Sequence, residues 1–165
     1  MFSLEKGACS SPVHGMKVES NKVDHMNEVV HWYAVSTVLL FVKMFSISLF
    51  QGYHRIGKRT FKTPEDAALV GRQAATEELP QVQRAANAWR NDLENIPIFL
   101  ALGVVYVWVE ASPSLAPWLF LLFTVARYLH TVFYLSALQP WRTVAYGVGI
   151  VCLFVMCAMI VAALF

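Results

Sequence analysis

Long apolar stretches, polar residues gathered at their ends and one basic loop predict an all-α integral membrane protein, a bundle of four spanning helices. Of 165 residues, 57% are hydrophobic and 15% charged, whereas soluble domains average about 45–50% and 25%. The net charge of +2 is small, and the basic residues form no stripe that could follow a phosphate backbone, which excludes a nucleic-acid partner. Cys9, Cys152 and Cys157 include no CxxC pair, so neither a disulfide framework nor a metal site is expected.

Residues 1–27 are polar and mixed in charge and lack an apolar run. They read as a disordered N-terminal tail without a cleavable signal, ahead of a single domain over 28–165. Val29 to Phe50 form the first span, interrupted by His31 and Lys43. Lys43 reads as a residue that runs its methylenes along the apolar surface and lifts its ammonium to the boundary. The basic run of His54, Arg55, Lys58, Arg59 and Lys62 places the following loop in the cytoplasm. Both termini then face away from the cytoplasm, across an endoplasmic reticulum (microsomal) or bacterial inner membrane.

In that loop, Thr63-Pro64-Glu65-Asp66 predicts a helix start, with Thr63 as N-cap, proline next and an acid returning the capping hydrogen bond. The short helix should reach about Arg72. A polar turn over 74–80 leads to Pro80, which suits the first turn of the second long helix. Its central stretch, Arg90 to Val109, joins a polar turn to fourteen uncharged residues. A span needs about 20 residues, so the polar turns must complete it. At about 100° per residue, Arg90, Asn91 and Glu94 share one face, while Asp92 and Asn95 point elsewhere. Pro97 withdraws an amide from the carbonyl of Leu93, opening space beside Glu94.

The third span, Leu115 to about Leu138, carries Arg127, His130 and Tyr134 on one stripe. Gln139-Pro140 breaks the chain, and Arg142 and Tyr146 open a fourth span that runs uncharged to Phe165. Short connections favour an up-and-down bundle. Arg127 and His130 alone read equally well as interhelical glue, and the tyrosines as interfacial belt residues. Three helices bringing Arg90, Glu94, His130 and Arg142 to one end point instead to a site. Arginines fork onto carboxylates and Glu94 accepts from an ammonium, so the ligand is an anion with an amino group.

RNDLENI at 90–96, FKTPEDA at 61–67, ARYLHTVFYL at 126–135 and QPWR at 139–142 resemble, in order and spacing, the membrane-associated proteins in eicosanoid and glutathione metabolism, over roughly residues 34 to 147. The resemblance implies a homotrimer of four-helix subunits with glutathione, as co-substrate, bound between neighbours at the cytoplasmic face. It assigns glutathione binding to Arg55, Arg90, Asn91, Glu94, His130, Tyr134, Arg142, Thr143 and Tyr146. Arg142 is the arginine beside the sulfur, and Asp66 matches an acid assigned to isomerisation in one branch and present in the transferases too. Asn87 and Trp89 depart from the family's arginine and histidine, and Thr143 stands where the isomerase branch has serine.

The activity this implies is a glutathione transferase. A fixed cation raises the thiolate fraction of a thiol whose free pKa is about 8.5. That thiolate attacks a lipophilic electrophile from the membrane lipid or reduces a lipid peroxide. The alternatives are a glutathione-dependent prostaglandin endoperoxide isomerase and a non-catalytic lipid-binding accessory protein.

Overall fold

The structure, a computed structural model, describes residues 12–165, with side chains from Asp24 onward. The described chain is all-helical: α1 (Pro12–Lys58), α2 (Pro64–Leu69), α3 (Pro80–Trp108), α4 (Ala116–Leu135) and α5 (Trp141–Leu164). Three stretches are long and apolar enough to cross a membrane, namely Asp24–Lys58 of α1, α4 and α5. The charges of α3, among them Arg90, Asp92 and Glu94, set it apart.

The N-terminal expectation needs correction. Helix α1 starts at Pro12, so residues 12–27 are helical rather than tail, and residues 1–11 lie outside the described residues. Polarity says where a segment is not buried, but once the apolar span has nucleated a helix, extending it backwards costs little. The cap at Thr63 also differs: the residue is extended as an N-cap requires, yet its side chain makes no capping bond. Helix α2 stops at Leu69, short of Arg72, where Gly71 at φ 67° lets the Arg72 amide reach the Ala67 carbonyl at 2.9 Å.

Helix α3 touches α1, α4 and α5, while α4 also packs on α1 and α5. The core between them is aromatic. Phe99 of α3 and Phe123 of α4 stack at 4.3 Å between ring centres, with Phe120 edge-on to Phe99 and Tyr106. Tyr33 of α1 donates to the Leu100 carbonyl at 2.9 Å, and its ring lies so close to Gly103 that a Cβ there would sit 2.3 Å from Cε2. Tyr128 of α4 donates to the Leu39 carbonyl of α1 at 2.8 Å. Helix α4 ends in a left-handed Ala137, φ 57°, which lets the Leu138 amide close on the Phe133 carbonyl at 2.9 Å. That turn brings Gln139 and the first residues of α5 back beside the end of α4.

Candidate functional site

The RND sequence at 90–92 divides around the helix as its spacing requires, and the two faces do different work. Arg90 and Glu94 are exposed and, with Asn87, Asn91 and Tyr134, line a cavity of about 260 Å³. Asp92 turns the other way and is fully buried. It accepts from the ammonium of Lys43 and from Arg127, at 2.6 Å to Nη2 and 3.2 Å to Nε. Lys43 is therefore not a boundary residue: it is 3% exposed and tied to α3, because a nearby carboxylate satisfies an ammonium that would otherwise have to seek water. Arg127 also donates to Asn91 Oδ1 at 2.6 Å. The buried triad thereby orients a residue of the exposed face.

A second cavity of about 240 Å³ is lined by Asn91, His130, Tyr134, Arg142, Thr143 and Tyr146. Asn91 and Tyr134 border both cavities, so the two adjoin. Helix α4 contributes His130 and Tyr134 one turn apart, 5.6 Å between ring centres, and Tyr146 of α5 closes on His130 at 6.2 Å. The Arg142 guanidinium lies 4.5 Å over the Tyr134 ring, a cation–π placement that fixes its plane. Gln139 completes the support. With the amide oriented to satisfy its neighbours, its oxygen accepts from Arg142 Nε at 3.1 Å and Nη2 at 2.5 Å, and its nitrogen donates to Thr143 Oγ1 at 3.1 Å.

His130 is 3% exposed, and its Nδ1 has no hydrogen-bond partner among the described residues. Buried imidazole nitrogens are ordinarily paired, so a polar group entering the adjoining cavity would find an acceptor or donor there. The arrangement thus offers two arginines, a carboxylate, an amide and an open imidazole nitrogen along one polar channel. That set fits a zwitterionic peptide-like ligand: guanidinium forks meet carboxylates, and Glu94 accepts from an ammonium.

Arg55 and Asp66 are not brought to this channel within the chain. Arg55 of α1 is bound to Glu78, at 2.6 Å from Nη2 and 3.2 Å from Nε. Burial alone would push the Glu78 carboxyl up, but the bonds from Arg55 and the Leu79 amide, with the charges of Arg55 and Lys62, hold it below its ordinary value. Asp66 is exposed on α2 and lines neither cavity. Two supporting residues escape the sequence reading: Asp92, whose signal was a lone acid on the apolar side of its helix, and Gln139, which the adjacent proline had marked only as a break.

A chain that is all-helical over its described residues, with three bilayer-length apolar stretches and an ion triad sealed between helices, is a membrane protein. The MAPEG family model matches residues 33–162, and the chain belongs to that family. It is 38% identical to bovine (Bos taurus) prostaglandin E synthase, covering 72% of this chain and 78% of that one, and 39% identical to the human (Homo sapiens) prostaglandin E synthase, covering 69% and 76%. It is also 36% identical to bovine microsomal glutathione S-transferase 1, covering 74% and 83%.

Proposed function

We propose that the protein is a membrane-bound glutathione transferase that holds glutathione in the polar channel and presents its thiolate to lipophilic electrophiles. The observation that carries this reading is the position of Arg142, stacked on Tyr134 and braced by Gln139 at the rim of a cavity that also holds the open nitrogen of His130. A cation fixed this way stabilises an adjacent thiolate without having to reorganise. Arg90, Asn91 and Glu94 would take the carboxylate and amino groups. In the transferase step the thiolate sulfur bonds to the electrophilic carbon and the leaving group departs with its electron pair. In the peroxidase step it attacks the terminal peroxide oxygen, the O–O bond breaks, the lipid leaves as an alkoxide that takes a proton from water to become the alcohol, and a second glutathione reduces the resulting sulfenic acid to give disulfide and water.

In this reading four long helices cross the membrane with both termini away from the cytoplasm. The subunits form a homotrimer, and Arg55 and Asp66 reach the site from a neighbouring copy. The second reading is glutathione-dependent isomerisation of a prostaglandin endoperoxide. It is favoured by the 35–39% identity to prostaglandin E synthases and by Thr143, whose hydroxyl sits beside Arg142.

Purified protein with glutathione, offered an aryl halide, a lipid hydroperoxide and a prostaglandin endoperoxide in turn, separates the readings by product mass for the first two and by chromatographic retention for the endoperoxide, whose isomer has the same mass. Conjugate or alcohol formation is the expected result. Turnover of the endoperoxide alone establishes the isomerase, and absence of any turnover leaves a lipid-binding accessory protein.

A further inference from the structure

A cleft of about 240 Å³ opens on a different side of the molecule, between α1 and α4. On α1 it runs from Lys43 past Ser46 and Ile47 to Phe50, and on α4 from Tyr128 past Thr131 to Leu135. The seven helical steps from Lys43 to Phe50 make it about 10 Å long at 1.5 Å per residue. Val132 on its rim is 53% exposed, so the cleft faces outward along two helices whose sequences are apolar enough for a bilayer. Lys43 closes its inner end, and Phe50 and Leu135 stand at the end nearer the basic loop.

Charge is unbalanced there. Two cations, Lys43 and Arg127, share Asp92, the one buried carboxylate among the described residues, and all three are at most 3% exposed. Arg127 is served by both Asp92 and Asn91, whereas the side-chain partner of Lys43 among the described residues is Asp92 alone. An ammonium has three donors. Across the cleft, Thr131 is 7% exposed, and its hydroxyl has no partner among the described residues. An excess positive charge and an unpaired hydroxyl border one outward-facing cleft, and a bound anion would satisfy both.

We propose that this cleft is a binding site for a fatty-acid carboxylate. The head group accepts from Lys43 Nζ and Thr131 Oγ1, which neutralises the triad, and the first methylenes lie along Ile47, Val132 and Leu135. A single-chain carboxylate suits the space better than a phospholipid, whose phosphodiester carries an ester arm on each side. The site is separate from the glutathione channel and does not depend on it.

The test uses the full chain in phosphatidylcholine nanodiscs, without glutathione, titrated with oleate labelled with carbon-13 at its carboxyl. Saturable binding is expected, with a carboxyl resonance that stays ionised, while methyl oleate should compete at least about 10-fold less well. Lys43→Met, which leaves Arg127 and Asp92 as a matched pair, should weaken oleate at least about 10-fold, and the isosteric Thr131→Val about 3- to 10-fold. Equal competition by methyl oleate overturns the proposal. So does unchanged oleate affinity in Thr131→Val, whether or not Lys43→Met folds. Displacement of oleate by a lower concentration of phosphatidate transfers the site to a phospholipid and overturns the carboxylate assignment. With glutathione left out, none of these outcomes bears on the transferase reading.

Discussion

Asp92→Asn tests whether the buried triad holds the helices together. Asp92 is fully buried and receives one bond from Lys43 of α1 and two from Arg127 of α4. Asparagine retains one acceptor oxygen, turns an amide donor toward a cation, and leaves two buried positive charges with no counter-charge. Removing one member of a buried ion pair costs about 3–5 kcal/mol, or roughly two to three and a half powers of ten in the folding equilibrium at about 1.4 kcal/mol per decade. Against a total stability of about 5–15 kcal/mol, that is a large share. Replacing all three groups, as Lys43→Met, Asp92→Leu and Arg127→Met together, should recover most of the loss because no charge remains to be solvated. Unfolding is followed by tryptophan fluorescence in mixed micelles of rising dodecyl sulfate fraction, with the midpoint converted to free energy. A shift below about 1 kcal/mol for Asp92→Asn, or a triple variant as unstable as the single one, refutes the reasoning.

Five other substitutions address the site and its frame. Arg142→Ala should leave glutathione bound while abolishing the ultraviolet thiolate signal below the free-thiol pKa of about 8.5, and Gln139→Leu should reduce it partway; identical titrations in wild type and Arg142→Ala remove the residue from the chemistry. Glu94→Gln should weaken glutathione by about 1.5–3 kcal/mol in titration calorimetry, the worth of a charge-assisted hydrogen bond. Gly103→Ala should destabilise the protein by about 1–3 kcal/mol in the same micelle titration, since the added methyl meets the Tyr33 ring at 2.3 Å. Because folding lowers the Glu78 carboxyl, its bond to Arg55 contributes fully at neutral pH and fades as pH drops below the ordinary value of 4.5 through the lower folded value; Glu78→Gln should flatten that acid limb of the stability profile.

Much of this molecule is written in local pattern. Apolar length marks the long helices, because a bilayer accepts backbone only when its hydrogen bonds are closed within the segment. Pro80 marks the start of α3 for the same local reason, its missing amide costing nothing in a first turn. Helical spacing likewise separates Arg90 and Glu94 from Asp92 and groups His130 with Tyr134. Hence most of the polar channel is legible before any coordinates. What periodicity cannot supply is how one element is placed against another, and the reassignments of side-chain partners turn on that. Lys43 is the lone Lys, Arg, Asp or Glu between Val29 and Phe50, and its partner lies 49 residues away. Arg55 shares a run with other basic residues, yet it is the fold of the loop that delivers Glu78 to it. Gln139 braces Arg142 only because the left-handed Ala137 turns the chain back on itself. The sequence by itself determined which faces of each helix are polar, a matter of 100° per residue. Tertiary packing alone decided which of those faces meet, because pairing energies belong to two elements at once and neither element encodes the other's position.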